Sequence, residues 1–360
     1  MTSWAPILDG SLAAEARSVI TEIAACARRS AISDPTLATG SSAEALLFAY
    51  LFTAHARESD RASAAHFLEL AFAHADALSP GLHTGLAGLA WTAEHVRGLC
   101  IADDDVNEDV DAGLLEHVRS FRPDDQWDLH SGLIGIGVYC LERSTAVASA
   151  ALALVIDRVL AVARRTDAGM SWALAHPPSQ IRSRYPQGAA SLGMAHGAAS
   201  VIAFWRVACN GDLGEALRWL YAQRLANTQF PAAVSLDGTP GSPAPFCWCN
   251  GEPGLAIGLG SLELALQAAA RSPDDTPVPD ASVCCGASGI ALCFARLAHR
   301  FDRAELHAAA RTWFGRAIAL ARERGPYEPG LLRGHAGIAL ALLAAVTPVE
   351  PRWDRVLLLS

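Results

Sequence analysis

Gly334-His335-Ala336-Gly337-Ile338-Ala339-Leu340-Ala341-Leu342-Leu343-Ala344-Ala345 holds two glycines three apart, followed by eight apolar residues with no polar face. A helix that is apolar on every side has to be buried on every side. The motif recurs. Gly85-Leu-Ala-Gly88, Gly132-Leu-Ile-Gly135, Gly251-Glu-Pro-Gly254 and Gly286-Ala-Ser-Gly289 repeat it in full. Gly197-Ala-Ala-Ser200 and Gly40-Ser-Ser-Ala43 keep only the first glycine. Successive starts lie 45, 47, 65, 54, 35 and 48 residues apart, a period that fits two helices and their connections.

Between the glycines, the chain reads as amphipathic helix. From Leu152 to Arg165, Asp157, Arg158, Arg164 and Arg165 recur seven apart, and Leu152, Val155, Ile156, Val159 and Val162 fill the other face. From Glu305 to Arg324 the stripe is Leu306, Ala310, Trp313, Ala317 and Leu320, stopped by Gly325-Pro326. Outer amphipathic helices alternating with inner apolar ones imply an all-α fold, an α/α toroid. Glycine at each inner-helix start would let the chain turn tightly and pack closely. The inner N-termini, with their free N–H groups, would converge on one electropositive end. No linker splits the chain, so residues 1–360 read as one domain. The Pro-rich segment 231–247 reads as a loop, with a short hairpin arm near Ala232–Leu236.

Composition agrees. Of the 360 residues, 51% are hydrophobic and only 7% aromatic, which favours packed helices over sheets. The net charge is −9, all 28 basic residues are arginine, and no basic stripe appears, so nucleic acid is not an expected partner. No run reaches the ~18 uncharged apolar residues of a transmembrane helix, and residues 1–6 lack signal-peptide features. A cytoplasmic protein is expected.

In a reducing compartment the nine cysteines are free, buried or metal-bound. Cys26, Cys100, Cys140, Cys209 and Cys293 sit in apolar helical contexts, as small buried hydrophobes would. The other four stand before glycine turns, in Cys247-Trp248-Cys249-Asn250-Gly251 and Cys284-Cys285-Gly286. Thiolates are soft ligands that suit Zn²⁺. Three would leave a coordination position open for a substrate, whereas four would close a structural site. Cys247 and Cys249 lie on one short segment, so spacing alone does not choose between them.

These residues resemble the LanC family, the lanthionine synthetase cyclases. The likeness runs in the family's order from about residue 40 to the end. It is carried by Trp127-Asp128 before Gly132, Tyr185-Pro186-Gln187-Gly188 with Leu192-Gly193-Met194-Ala195-His196-Gly197, Trp248-Cys249-Asn250-Gly251-Glu252-Pro253-Gly254, and Cys284-Cys285-Gly286. The resemblance implies seven inner and seven outer helices around one catalytic Zn²⁺ per chain. It implies addition of peptide cysteine thiols to dehydroalanine or dehydrobutyrine, giving lanthionine or methyllanthionine rings. It assigns Cys249, Cys284 and Cys285 to the metal, His196 and Asp128 to acid/base chemistry, and Trp248 and Tyr185 to the neighbourhood of the substrate. The implied partners are a dehydrated precursor peptide, a separate dehydratase and a peptide exporter, which could hold the protein beside a membrane complex.

Three departures stand out. Cys285 replaces the usual histidine ligand, Pro245 stands where arginine is common, and Asn250 replaces a tyrosine. Asp128 also reads as a helix N-cap, His196 as a core histidine, and His83, His130 and His335 as structural. Arg182 and Arg184 read as solvated, or as peptide contacts. Two other functions compete with the cyclase. A zinc-holding scaffold without turnover is favoured by Pro245 and Asn250. A glycoside hydrolase-like toroid would need paired carboxylates and leave the cysteines without a role.

Overall fold

The computed structural model describes residues 4–75, 78–97, 99–100, 105–177, 179–209, 211, 213–226, 229–239, 241–325 and 328–360. Outer helix α1 (Gly10–Ala27) leads into inner α2 (Ser41–His55), outer α3 (Glu58–Ala73), inner α4 (Leu86–Arg97), outer α5 (Glu108–Arg119), inner α6 (Leu133–Glu142) and outer α7 (Ala146–Ala161). Strands β1 (Arg164–Thr166) and β2 (Gly169–Ser171), short helix α8 (Ser179–Arg184) and strand β3 (Ala189–Ser191) follow. Inner α9 (Ala198–Cys209), outer α10 (Gly214–Ala222), strand β4 (Ala233–Ser235), inner α11 (Glu252–Leu259) and outer α12 (Leu262–Ala269) come next. Inner α13 (Ala287–Phe301), outer α14 (Ala304–Arg324), inner α15 (His335–Val346) and a 3₁₀ turn (Arg352–Leu357) complete the order.

The inner helices touch in sequence, α2 on α4, α4 on α6, α6 on α9, α9 on α11, α11 on α13, α13 on α15, and α15 back on α2. Each carries an outer helix, and the last inner helix, α15, takes the first outer one, α1. The result is an α/α toroid. All twelve residues of α15 are buried, as its unbroken apolar run requires.

The opening glycines of the repeats do not supply left-handed backbone. Gly132, Gly251, Gly286 and Gly334 have φ of −118°, −101°, −106° and −94°, which any residue adopts. They supply space. A Cβ on Gly251 would lie 2.2 Å from the carbonyl oxygen of Pro245, and one on Gly254 would lie 1.9 Å from that of Trp248. The same i−6 contact holds Gly289 against the Val283 carbonyl.

That close packing leads to a feature at the ring axis. Two residues before each opening glycine, the backbone N–H donates to the equivalent carbonyl of a neighbouring repeat. Ala38 donates to His83 (2.8 Å), His83 to His130 (3.0 Å), His130 to Ala195 (3.3 Å) and Ala195 to Cys249 (3.2 Å). Cys249 then donates to Cys284 (3.3 Å), Cys284 to Leu332 (2.8 Å), and Leu332 back to Ala38 (3.2 Å). These seven bonds close a circle and satisfy polar groups that buried backbone cannot leave bare.

One expectation changes. The helix read over 152–165 ends at Ala161, and Arg164–Thr166 instead pairs antiparallel with Gly169–Ser171. Gly169, at φ +125°, makes that turn. Within 231–247 the chain turns back after β4, where the Ser235 N–H donates to the Thr239 carbonyl at 3.3 Å and Pro231 forms an antiparallel bridge with Pro243. β4 also pairs with β3, far away in sequence, and Ala233, Val234 and Ser235 are buried against the body of the protein.

Candidate metal centre

The circle of backbone bonds fixes where the chemistry sits. Cys249 and Cys284 are consecutive members of it, so the start of α11 and the start of α13 deliver their sulfurs side by side. Cys285 follows one residue later. The Cys249, Cys284 and Cys285 sulfurs all lie within 4.8 Å of one another, and no other cluster of this kind occurs among the described residues. Cys249 and Cys285 are 3.5 Å apart, as are Cys284 and Cys285. Tetrahedral Zn²⁺ with Zn–S bonds of ~2.3 Å sets its sulfurs ~3.8 Å apart, so the donor set and its spacing fit the ion. Cys247 stands outside this group. It is wholly buried, 3.5 Å from the Cys249 sulfur, and its thiol donates to the Pro245 carbonyl.

Contacts with the Cys247, Cys249 and Cys284 sulfurs lower the Cys285 thiol below its usual value, and the Arg333 guanidinium adds to the effect. The neighbouring thiols are raised in exchange. Cys249 is pushed up by its contacts with Cys247, Cys284 and Cys285 and by burial. At Cys284 the Cys249 contact works downward, but Cys285 and burial prevail and push it up to about 12. The Asn250 amide also donates to the Cys249 sulfur, at 3.4 Å.

Beside the cysteines, Ala195 ties the segment before α9 to Cys249, and His196 is the next residue. Its Nδ1 donates to Asp128 Oδ2 at 2.5 Å. Asp128 is buried, and its Oδ1 accepts from the Ser131 backbone N–H at 2.8 Å, which shapes the turn into α6. Asp128 therefore supports a helix start and holds His196 at once. Burial works to raise its pKa, but the His196 hydrogen bond and charge outweigh that and keep the carboxyl below its usual range. The side chain of His196 is 43% exposed, so the ring is reachable from solvent beyond its Asp128 contact.

Trp248 and Tyr185 are not exposed at this centre. Trp248 is 1% exposed, its indole N–H donates to the Leu357 carbonyl, and its ring lies beside His83. Tyr185 is 6% exposed, in a small cluster with Ala189 and Ala233, and its hydroxyl donates to the Ala233 carbonyl. His335 pairs with buried Glu44 at 3.1 Å. Sequence reasoning missed Arg333. Its signal is positional, because it stands immediately before a repeat glycine, as His196, Asn250 and Cys285 do.

Residues 31–358 match the family described as lanthionine synthetase C-like protein. The chain belongs to that family. Among solved structures, the lanthionine synthetase C-like fold seen here is similar to one titled nisin cyclase. The TM-score is 0.78 at 19% sequence identity, over 96% of this chain and 97% of the other. No curated protein sequence matches significantly. Among the described residues, no helix is long and apolar enough to cross a membrane.

Proposed function

We propose that this protein is a peptide cyclase. It adds cysteine thiols of a ribosomally made precursor to dehydroalanine or dehydrobutyrine, forming lanthionine and methyllanthionine rings. The observation that carries this reading is a cluster of three cysteine sulfurs and a histidine–aspartate pair, each held by or next to residues of one backbone circle. A thiol addition needs a thiolate and a proton donor, and little else. Cys249, Cys284 and Cys285 would hold one Zn²⁺ per chain. Bound there, the ion would deprotonate an incoming thiol at neutral pH, where a free thiol of pKa ~8.5 is mostly protonated.

The chain's own residues do the rest. His196, with Nδ1 engaged by Asp128, turns Nε2 toward the cavity and donates a proton to the α-carbon of the enolate. Asp128 fixes the ring orientation and stabilises the imidazolium. Cys247 closes the back of the site as a buried thiol, and Trp248 and Tyr185 support the loops that carry the ligands. The reading implies a dehydrated precursor peptide, a separate dehydratase and an exporter as partners, with the work done in the cytoplasm. Pro245 and Asn250 favour the competing reading of a metal-holding scaffold without turnover.

Wild type and His196→Ala, each metal-loaded, separate these readings when incubated with a dehydrated peptide and assayed for free thiols by alkylation and mass spectrometry. Wild type should consume thiols, and the variant should be slower by about 100-fold or more. Equal thiol loss in both would contradict the reading.

A further inference from the structure

His130 occupies the same station before its glycine turn as the metal-site residues Cys249 and Cys284. Its ring is half-buried, and its centroid lies 5.1 Å from that of His196. On the other side His83 follows at 5.4 Å, wholly buried. Three imidazoles thus form a ladder from the loops before α4, α6 and α9. Asp128 is the carboxylate that faces it, and it binds only His196 of the three.

We propose that His130 and His196 hold one proton between them over the Asp128 carboxylate, and that His130 reloads His196 during turnover. One carboxylate offsets one imidazolium, and a second cation 5.1 Å away is opposed by the first. At rest the proton belongs on His196, whose Nδ1 is bound to Asp128. His130 is then neutral. Burial and the His196 charge hold its pKa below the usual value, against the pull of Asp128. Burial, joined by the His130 and His196 charges, holds the His83 pKa well below the ordinary value, so the ladder ends there.

This inference rests on the cyclase reading. In one cycle the substrate S–H bond breaks and an S–C bond forms at the β-carbon. The π electrons move to the α-carbon, which takes the Nε2 proton of His196. His196 is then neutral, so His130 no longer faces a cation. His130 accepts the proton that the thiol gave up, through the cavity, and passes it to His196. One proton leaves sulfur and one reaches carbon, with none gained or lost. His130 is a positioning residue that acts through His196.

The test uses the full, metal-loaded chain with ¹⁵N-labelled histidine, titrated by NMR, alongside His130→Asn. In wild type both rings should follow the same two titration steps, because coupled sites titrate as a pair. In His130→Asn, His196 should show one step. The kcat for ring formation should fall about tenfold at neutral pH with KM unchanged and the pH profile altered, a smaller loss than removing the acid itself. Independent single steps in wild type, or an identical His196 titration and kcat profile in the variant, would overturn the proposal. If the asparagine variant fails to fold, the wild-type titration decides alone. If wild type shows shared steps but forms no rings, proton sharing stands and the cyclase reading falls.

Discussion

Asp128 and His83 show how much one side chain can reveal in the sequence and how much it cannot. Asp128 is visible as a carboxylate before a glycine turn, yet in the sequence cap and catalyst look like alternatives. In the structure each oxygen makes a separate contact, Oδ1 with the Ser131 N–H and Oδ2 with His196, so one residue can serve as cap and as partner to the histidine. The cysteines before glycine turns are equally legible, because soft ligands gathered at helix starts point to a metal. The histidine ladder is not, since His83 and His130 come together only when the ring closes. His83 also carries a stability consequence. The unfolded imidazole takes a proton near pH 6.5 while the buried one resists it, so below that pH the unfolded chain binds more protons. Stability should therefore fall as pH drops from about 6.5 toward the depressed folded value, by at most about 1.4 kcal/mol per pH unit for this group. His83→Leu should flatten that slope in denaturant melts run between pH 7 and 5. An unchanged slope would show that other groups set it.

At the scale of elements, the glycine repeat announces the inner helices, and of the two reasons it offers for the glycines, close packing holds while an unusual turn conformation does not. Their φ values are ordinary, and the constraint is a carbonyl six residues back. Gly254→Ala should cost on the order of 3 kcal/mol and loosen metal retention, because the Trp248 carbonyl it would strike is bonded into the Cys249 segment. Gly113→Ala is the counterpart. It sits on the exposed face of α5 with nothing within 4 Å of an added Cβ, and should gain roughly 0.5–1 kcal/mol. Thermal melts of the two variants should move in opposite directions. Of the three-residue strands only β4 is legible, inside the arm read near Ala232–Leu236, because the others exist only through their partners. In particular, β3 and β4 pair across more than forty residues, which no local pattern encodes.

For the whole molecule, closure is the property that matters. Helix α1 covers α15, Trp4 Nε1 donates to the Ala344 carbonyl at 2.8 Å, and the Ile7 and Leu8 N–H groups both reach the Ala345 carbonyl. Removing residues 1–27 would bare a helix that has no polar face, and should abolish soluble, cooperatively melting protein. Soluble truncated protein with an unchanged melt would show that the ring does not need this cover. The seven-bond circle is beyond the sequence, because it is a property of the assembled repeats and not of any one of them. It also accounts for the arrival of cysteine sulfurs from two distant segments within a few ångströms of each other.

Zinc X-ray absorption on the metal-loaded protein, before and after adding a cysteine-containing dehydrated peptide, tests the centre most directly. Three sulfur neighbours at about 2.3 Å with one lighter neighbour at rest, becoming four sulfurs with peptide, is the expected result. Four sulfurs in the resting protein, with Cys247 as the fourth, or no bound zinc at all, would contradict it.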